Sequence, residues 1–193
     1  MNFNTEKIAL FGTSADPPTN GHQIIIRELA KKYNLVITYA SNNPSKNHQE
    51  KLFFRSLLLK TLIEDLNDSK IICDDDISSR WAIKSIQKCK EKYKISRLDF
   101  VIGSDLLEEM FSWKNIYEIL KEVNLFIIPR EGYILKPKYL DLINSLNGCF
   151  EISKFKVPKI SSSMIRGHTK NSFLPKSLIS IIRSNNLYEG ILK

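Results

Sequence analysis

The stretch KIALFGTSADPPTNGHQIIIRELAKKY, Lys7 to Tyr33, passes through three kinds of chain in succession. Lys7–Gly12 is a nearly unbroken apolar run ending on glycine, the pattern of a strand buried on both faces. Thr13–Thr19 is polar, and Pro17 and Pro18 break regular structure there. From Gln23 to Tyr33, residues Ile25, Ile26, Leu29, Ala30 and Tyr33 recur at helical spacing. The alternation continues outward. Strands are predicted at 35–40, 70–73, 98–103, 124–129 and 149–155. Helices are predicted at 48–66, 81–93, 105–120 (broken near Ser112–Trp113), 139–146 and 176–184, with a helical turn from Ser161. Apolar strands alternating with helices predict an α/β fold, a doubly wound parallel sheet with helices on both faces. Ligands in such sheets sit beyond the carboxyl ends of the strands, so the residues just after each strand carry the functional expectation.

Composition narrows the classes. At 193 residues, one domain is expected over 1–193, with a C-terminal helical part from about residue 161. A chain of this length buries roughly 70 % of its unfolded surface and needs no disulfide or metal to fold. Hydrophobic content of 42 % and charged content of 26 % exclude a disordered or collagen-like chain. The net charge of +8 is spread along the sequence, which fits a small polyanion such as a nucleotide better than a nucleic-acid polymer. Cys73, Cys89 and Cys149 lie far apart, with no zinc spacing, and read as reduced thiols in the cytoplasm. His22, His48 and His168 share no metal-binding spacing. No apolar run approaches the ~20 residues of a membrane span.

Seven glycines supply neither G-x-x-x-x-G-K-[ST] nor G-x-G-x-x-G, so P-loop and standard dinucleotide sites are excluded. Three other clusters remain. In the first, Gly12, Thr13 and Ser14 leave the first strand, Thr19 or Asn20 caps the helix, and Gly21 lets a ligand approach the backbone. His22 then falls in the first helical turn, where free N–H groups and the dipole favour an anion. A lone His there is ordinarily a surface residue. The coincidence of Pro-Pro, cap and Gly-His after the first strand favours function instead. In the second cluster, Ser161, Ser162 and Ser163 start a turn that places Arg166, with His168 nearby, where a polyphosphate would reverse the usual cost of a cation at a helix start. The third holds Gly103, Ser104 and Asp105, with Asp105 able to accept ribose hydroxyls and Trp113 able to stack on a flat ring.

These residues carry a resemblance. Gly12–His22 resembles the first motif of the nucleotidyltransferase superfamily, [H/T]-x-G-H, and Ile160–Arg166 resembles its second, I-S-S-T-x-I-R. Within that superfamily the chain is similar to the bacterial nicotinate-nucleotide adenylyltransferases, over nearly its whole length. The similarity rests on Ile102–Asp105 followed by Trp113, on Arg130–Tyr133, and on the tail from Leu174 to Tyr188. The sequence departs from that family at Ala15, where Phe is usual, at Thr19, an accepted variant, and at Asn43–His48, where P-P-H-K is usual. It departs again at Arg80–Ile86, where Trp81 stands for a Tyr, Ser85 for a Thr, and Ala82 removes a hydroxyl.

The resemblance implies a Rossmann-like fold and the reaction of ATP with nicotinate mononucleotide, giving deamido-NAD and pyrophosphate, with Mg2+ bound alongside ATP. It implies catalytic roles for His22, Thr19 and Arg166. ATP would be held by Gly12, Thr13, Ser14, Gly21, Lys46 or His48, Gly103, Asp105 and Ser161–Ser163. The acceptor would meet Asp16, Trp81, Ser85, Trp113 and Arg130. Asp16 equally suits holding loop N–H groups. Arg80 and Lys84 lean toward nicotinate over nicotinamide. No protein-held metal is expected, and a homo-oligomer is compatible with the sequence. Rival readings are adenylyl transfer to nicotinamide mononucleotide or phosphopantetheine, and a non-catalytic nucleotide- or RNA-binding protein.

Overall fold

A computed structural model of the chain describes residues 7–167 and 171–189; the expectation for His168 lies outside them. Its strands are β1 (Ile8–Thr13), β2 (Leu35–Ala40), β3 (Ile71–Cys73), β4 (Asp99–Gly103), β5 (Asn124–Ile128) and β6 (Cys149–Ile152). Its helices are α1 (Asn20–Lys32), α2 (Leu52–Leu66), α3 (Ala82–Tyr93), α4 (Leu107–Met110), α5 (Ile116–Glu122), α6 (Pro137–Ser145), α7 (Ser162–Arg166) and α8 (Ile179–Ser184). The strands form one parallel sheet in the order β3-β2-β1-β4-β5-β6. The expected doubly wound α/β fold is present.

Side-chain alternation along β1 explains the two layers. Ala9 and Phe11 join Ile26 and Leu29 of α1, Leu58 and Leu62 of α2, and Ile182 of α8 on one face. Ile8 and Leu10 join Ile86 of α3 and Ile119 of α5 on the other. Each such side chain contributes about 1.5–3 kcal/mol of hydrophobic stabilisation before conformational entropy is counted. The amino ends of the strands are tied by Asp99, which accepts from Tyr33 Oη at 2.6 Å and Asn124 Nδ2 at 3.1 Å. Because β1 lies between β2 and β4, the chain reverses its direction of winding there. The crevice for a ligand therefore opens above the carboxyl ends of β1 and β4. Among the described residues no helix is long and apolar enough to cross a membrane.

Several boundaries differ from expectation by a few residues, and the start of the second helix has a long-range cause. The second helix begins at Leu52 rather than His48, because the N–H groups of Gln49 and Glu50 donate to the Asp16 carboxylate instead of entering a helix. The 105–120 segment has the expected break, between α4 and α5; it opens as a 3-10 turn at Ser104–Leu106, and Asn115 before α5 takes φ +60°, a region Asn tolerates better than most residues.

Candidate active site

The two sequence motifs converge at the β1–β4 crevice. Ser162 Oγ donates to the Pro17 carbonyl at 2.8 Å, across 145 residues of sequence. Arg166 Nη1 donates to the Asp16 carbonyl. A cavity of about 560 Å3 opens beside them, a size suited to a small ligand. Gly12, Thr13, Ser14, Thr19, Gly21 and His22 line it from the first loop, and Ser161, Ser162, Ser163 and Arg166 from the second. Lys46, Trp81, Ser85, Gly103, Asp105, Trp113 and Arg130 complete the expected set on its walls. Gly12 is required by close approach, since a Cβ there would meet the Tyr39 ring and hydroxyl at 2.6 Å.

His22 is the third residue of α1 and closes a capping box with Thr19. Its Nδ1 lies 3.0 Å from the Thr19 backbone nitrogen and 2.8 Å from Thr19 Oγ1. A backbone N–H can only donate, so Nδ1 is the acceptor and the ring proton sits on Nε2. Burial, and then the charge of Arg130, lowers the His22 pKa to about 4. His22 is therefore a neutral donor through Nε2 at physiological pH.

Arg130 braces the other side of the crevice. Its Nη1 donates to Asp105 Oδ2 at 2.7 Å, its Nη2 to the Ile160 carbonyl, and its backbone N–H to Ser104 Oγ at 2.9 Å. One side chain thus joins the ends of β4 and β5 to the start of the second motif. Asp105 Oδ1 and Trp113 Nε1 are buried without a hydrogen-bond partner among the described residues, and both belong to residues of the cavity wall. Buried polar atoms ordinarily have partners, so these two are open to a ligand. Phe100 meets Trp113 edge to face, with centroids 6.3 Å apart, which orients the indole.

The structure does not bring two of the expected residues, Asp16 and His48, to the cavity wall. Asp16 does not line the cavity. It is 1 % exposed, and its carboxylate accepts from Gln49 N–H (2.8 Å), Glu50 N–H (3.2 Å) and Tyr188 Oη (3.0 Å), with Arg166 Nη1 at 3.6 Å. A carboxylate so engaged anchors the loop, the other role the sequence allowed it. His48 is likewise turned away from the cavity, its Nδ1 3.8 Å from Asp16 Oδ2. Of the pair left open by the sequence, Lys46 is the one on the cavity wall, where its Nζ meets Glu109 Oε2 at 2.7 Å. Lys84 also faces elsewhere, donating to Gln87 at 3.1 Å.

Other residues of the site were not anticipated. Arg55, 1 % exposed on α2, donates to the carbonyls of Ser14 (2.7 Å), Ser41 (2.8 Å) and Glu50 (3.1 Å), holding the loops after β1 and β2 together. Lys114 and Glu109 lie on the cavity wall, as do Tyr39 and Phe100. Arg55 does break the apolar face of its helix, the one sign visible in the sequence. Among the described residues no three His, Cys, Asp or Glu side chains converge as a metal cage.

Residues 10–168 match the cytidylyltransferase-like family. A Synechocystis protein named probable nicotinate-nucleotide adenylyltransferase is 32 % identical over 94 % of this chain and 98 % of its own. A Clostridium novyi protein of the same name is 30 % identical over 95 % of this chain and 100 % of its own. The fold is shared with Plasmodium falciparum nicotinic acid mononucleotide adenylyltransferase, solved in complex with NaAD. That likeness has a TM-score of 0.78 over 97 % of this chain and all of that one, at 20 % identity. The chain belongs to the cytidylyltransferase-like nucleotidyltransferases, and within them to the nicotinate-nucleotide adenylyltransferase family.

Proposed function

We infer that the protein transfers AMP from ATP to nicotinate mononucleotide, forming deamido-NAD and pyrophosphate, as a step of NAD biosynthesis. The observation that carries this reading is the neutral, Thr19-oriented His22 at the α1 N-terminus, facing the serines and Arg166 of the second motif across one cavity.

The chemistry needs few groups. An acceptor phosphate is already anionic at neutral pH, so its oxygen attacks the α-phosphorus without a general base. The bond from the α-phosphorus to the bridging oxygen breaks, and that oxygen leaves with pyrophosphate. Alignment of the reactants and stabilisation of charge on the non-bridging α-oxygens remain. His22 Nε2–H donates to such an oxygen and keeps its proton throughout. The α1 N-terminus, Ser161–Ser163 and Arg166 take the other phosphates, and Lys46 closes over them. Asp105 Oδ1 accepts a ribose hydroxyl, Trp113 stacks on a ring, and Arg130 holds Asp105 in place. Mg2+ enters with the triphosphate as MgATP. The working compartment is the cytoplasm, where ATP is available.

The test is pyrophosphate release from MgATP by purified protein, with nicotinate mononucleotide, nicotinamide mononucleotide and phosphopantetheine in parallel. Release that is fastest with nicotinate mononucleotide is expected. Release only with another acceptor would overturn the acceptor assignment and keep the reaction. Silence with all three, from folded protein that binds ATP, would overturn both.

A further inference from the structure

Tyr188 follows α8, is 1 % exposed and takes φ +53°, a conformation costly for an aromatic residue. Both of its polar groups reach the loops of the active site. Its N–H donates to Glu50 Oε1 at 3.0 Å, and its hydroxyl donates to Asp16 Oδ1 at 3.0 Å, across 172 residues of sequence. Burial, and then the charge of Asp16, raises the Tyr188 pKa well above the usual phenol range, so the hydroxyl stays a donor. The Asp16 carboxylate is thereby divided between two sets of donors. Oδ1 takes Tyr188 Oη and the Glu50 N–H, while Oδ2 takes the Gln49 N–H and faces Arg166 Nη1 at 3.6 Å. His48 Nδ1 lies 3.8 Å from Oδ2, but burial lowers its pKa and it brings no charge at neutral pH. Arg55 is committed to the carbonyls of Ser14, Ser41 and Glu50. Arg166 differs from Arg55 in that its side chain is 27 % exposed and lines the cavity. It is therefore the cation placed to answer any charge left unmatched on Asp16.

We propose that Tyr188 is a positioning residue for the triphosphate: by occupying Asp16 Oδ1 it keeps Arg166 out of a close pair with that carboxylate and available to the phosphates. The inference rests on the proposed reading of Arg166 as a phosphate ligand. Without the phenol O–H, Oδ1 keeps one donor, and the charge on the carboxylate is matched by drawing the guanidinium in from 3.6 Å. Arg166 then serves the protein instead of the nucleotide. The partners of Asp16 are not the acceptor-side residues Trp81, Ser85 and Trp113, so the effect falls on ATP and spares the acceptor.

The experiment measures the Kd for MgATP by calorimetry, with steady-state kinetics alongside, for wild type, Tyr188→Phe, Arg166→Gln and the double variant. Phenylalanine keeps the ring in the core, and urea midpoints check that each variant is folded. Tyr188→Phe should raise the MgATP Kd about fivefold and leave the KM for nicotinate mononucleotide within about twofold. Arg166→Gln should raise that Kd at least about tenfold. The double variant should match Arg166→Gln, because Tyr188 acts on the nucleotide only through that guanidinium. Tyr188→para-aminophenylalanine keeps both the ring and an N–H donor at its tip, and should bind MgATP within about twofold of wild type whether or not the phenylalanine variant folds. Weak binding by the aminophenylalanine variant would overturn the proposal and leave the adenylyl transfer standing. So would additive losses in the double variant, or a Tyr188→Phe protein that loses stability with its MgATP Kd unchanged. Wild-type protein that does not bind MgATP would overturn the proposed function and this inference with it.

Discussion

Thr19 grips the Nδ1 edge of His22 with its backbone N–H at 3.0 Å and its hydroxyl at 2.8 Å. That contact fixes the tautomer and leaves Nε2–H for a ligand. The His22 pKa near 4, against 6.5 for a free imidazole, adds a pH signature. Below pH 6.5 the unfolded chain takes up a proton that native His22 refuses, so this residue weakens the fold progressively from about pH 6.5 to about pH 4 and not above. Nitrogen-15 NMR of the free protein should show the Nε2–H form at pH 7 and a midpoint near 4. Acid unfolding of His22→Gln should be less steep over the same window. A midpoint at or above 6.5 would refute the neutral-donor assignment.

Loss of that donor should be felt in turnover. His22→Ala is expected to lower kcat by roughly 10²–10³, the cost of removing one transition-state donor. Thr19→Val keeps the backbone N–H that sets the tautomer and removes only the hydroxyl. Its kcat should fall about fivefold, well short of the His22→Ala loss. Equal losses in the two variants, measured under saturating MgATP, would show that the hydroxyl rather than the imidazole meets the substrate.

Asp16 should behave as an anchor. Asp16→Asn keeps an acceptor oxygen, removes the charge facing Arg166, and puts an amide N–H2 among the donors of Gln49, Glu50 and Tyr188. A buried group mismatched in this way costs about 1–3 kcal/mol of stability. The KM for the acceptor nucleotide should stay within about twofold. A denaturant titration and a steady-state assay separate the two. An acceptor KM raised tenfold with unchanged stability would restore Asp16 to the ligand contacts.

The contrast between His22 and Asp16 shows where sequence reasoning reaches. His22, Thr19 and Gly21 owe their placement to a strand end, a cap and a helix start, all encoded within a few neighbouring residues. The sheet was legible for the same reason, since apolar runs of 5–6 residues mark strands buried on both faces. For Asp16 and His48 the sequence left alternatives open, because their surroundings come from chain far away: residue 188 for one, and the fold of the Asn43–Glu50 loop for both. The sequence put forward Arg80 and Lys84 as cations leaning toward nicotinate and did not single out Lys114. Only the packing of α3 against α5 brings Lys114 to Trp81 and leaves Lys84 on Gln87.

Arg55 offers a test of long-range bracing. Its guanidinium satisfies the carbonyls of Ser14, Ser41 and Glu50 inside the protein. Arg55→Met fills much of the volume and leaves those carbonyls unpaired, so a loss of about 3–5 kcal/mol is expected. Arg55→Lys keeps the charge but cannot reach three carbonyls from one planar fork, and should recover only part of it. Urea midpoints of the three proteins give the comparison. Wild-type stability in Arg55→Met would show that the loops after β1 and β2 are held by packing alone.

The last prediction concerns the pair at the cavity wall. Lys46 comes from the loop after β2 and Glu109 from α4, so their 2.7 Å contact spans the two halves of the doubly wound sheet. In the proposed reaction Lys46 is wanted by the triphosphate, and Glu109 competes for it. The exchange favours the nucleotide, because phosphate oxygens carry more charge than one carboxylate, yet breaking the pair still opposes binding. A part-exposed pair of this kind is worth about 0.5 kcal/mol. Glu109→Gln should therefore lower the KM for MgATP two- to threefold with little change in kcat. Lys46→Gln should raise it, and the double variant should resemble Lys46→Gln, because Glu109 acts only through the lysine it holds. A lower KM in the double variant than in Lys46→Gln would mean that Glu109 repels the phosphates directly. Its role would then be electrostatic exclusion at the entrance rather than restraint of Lys46.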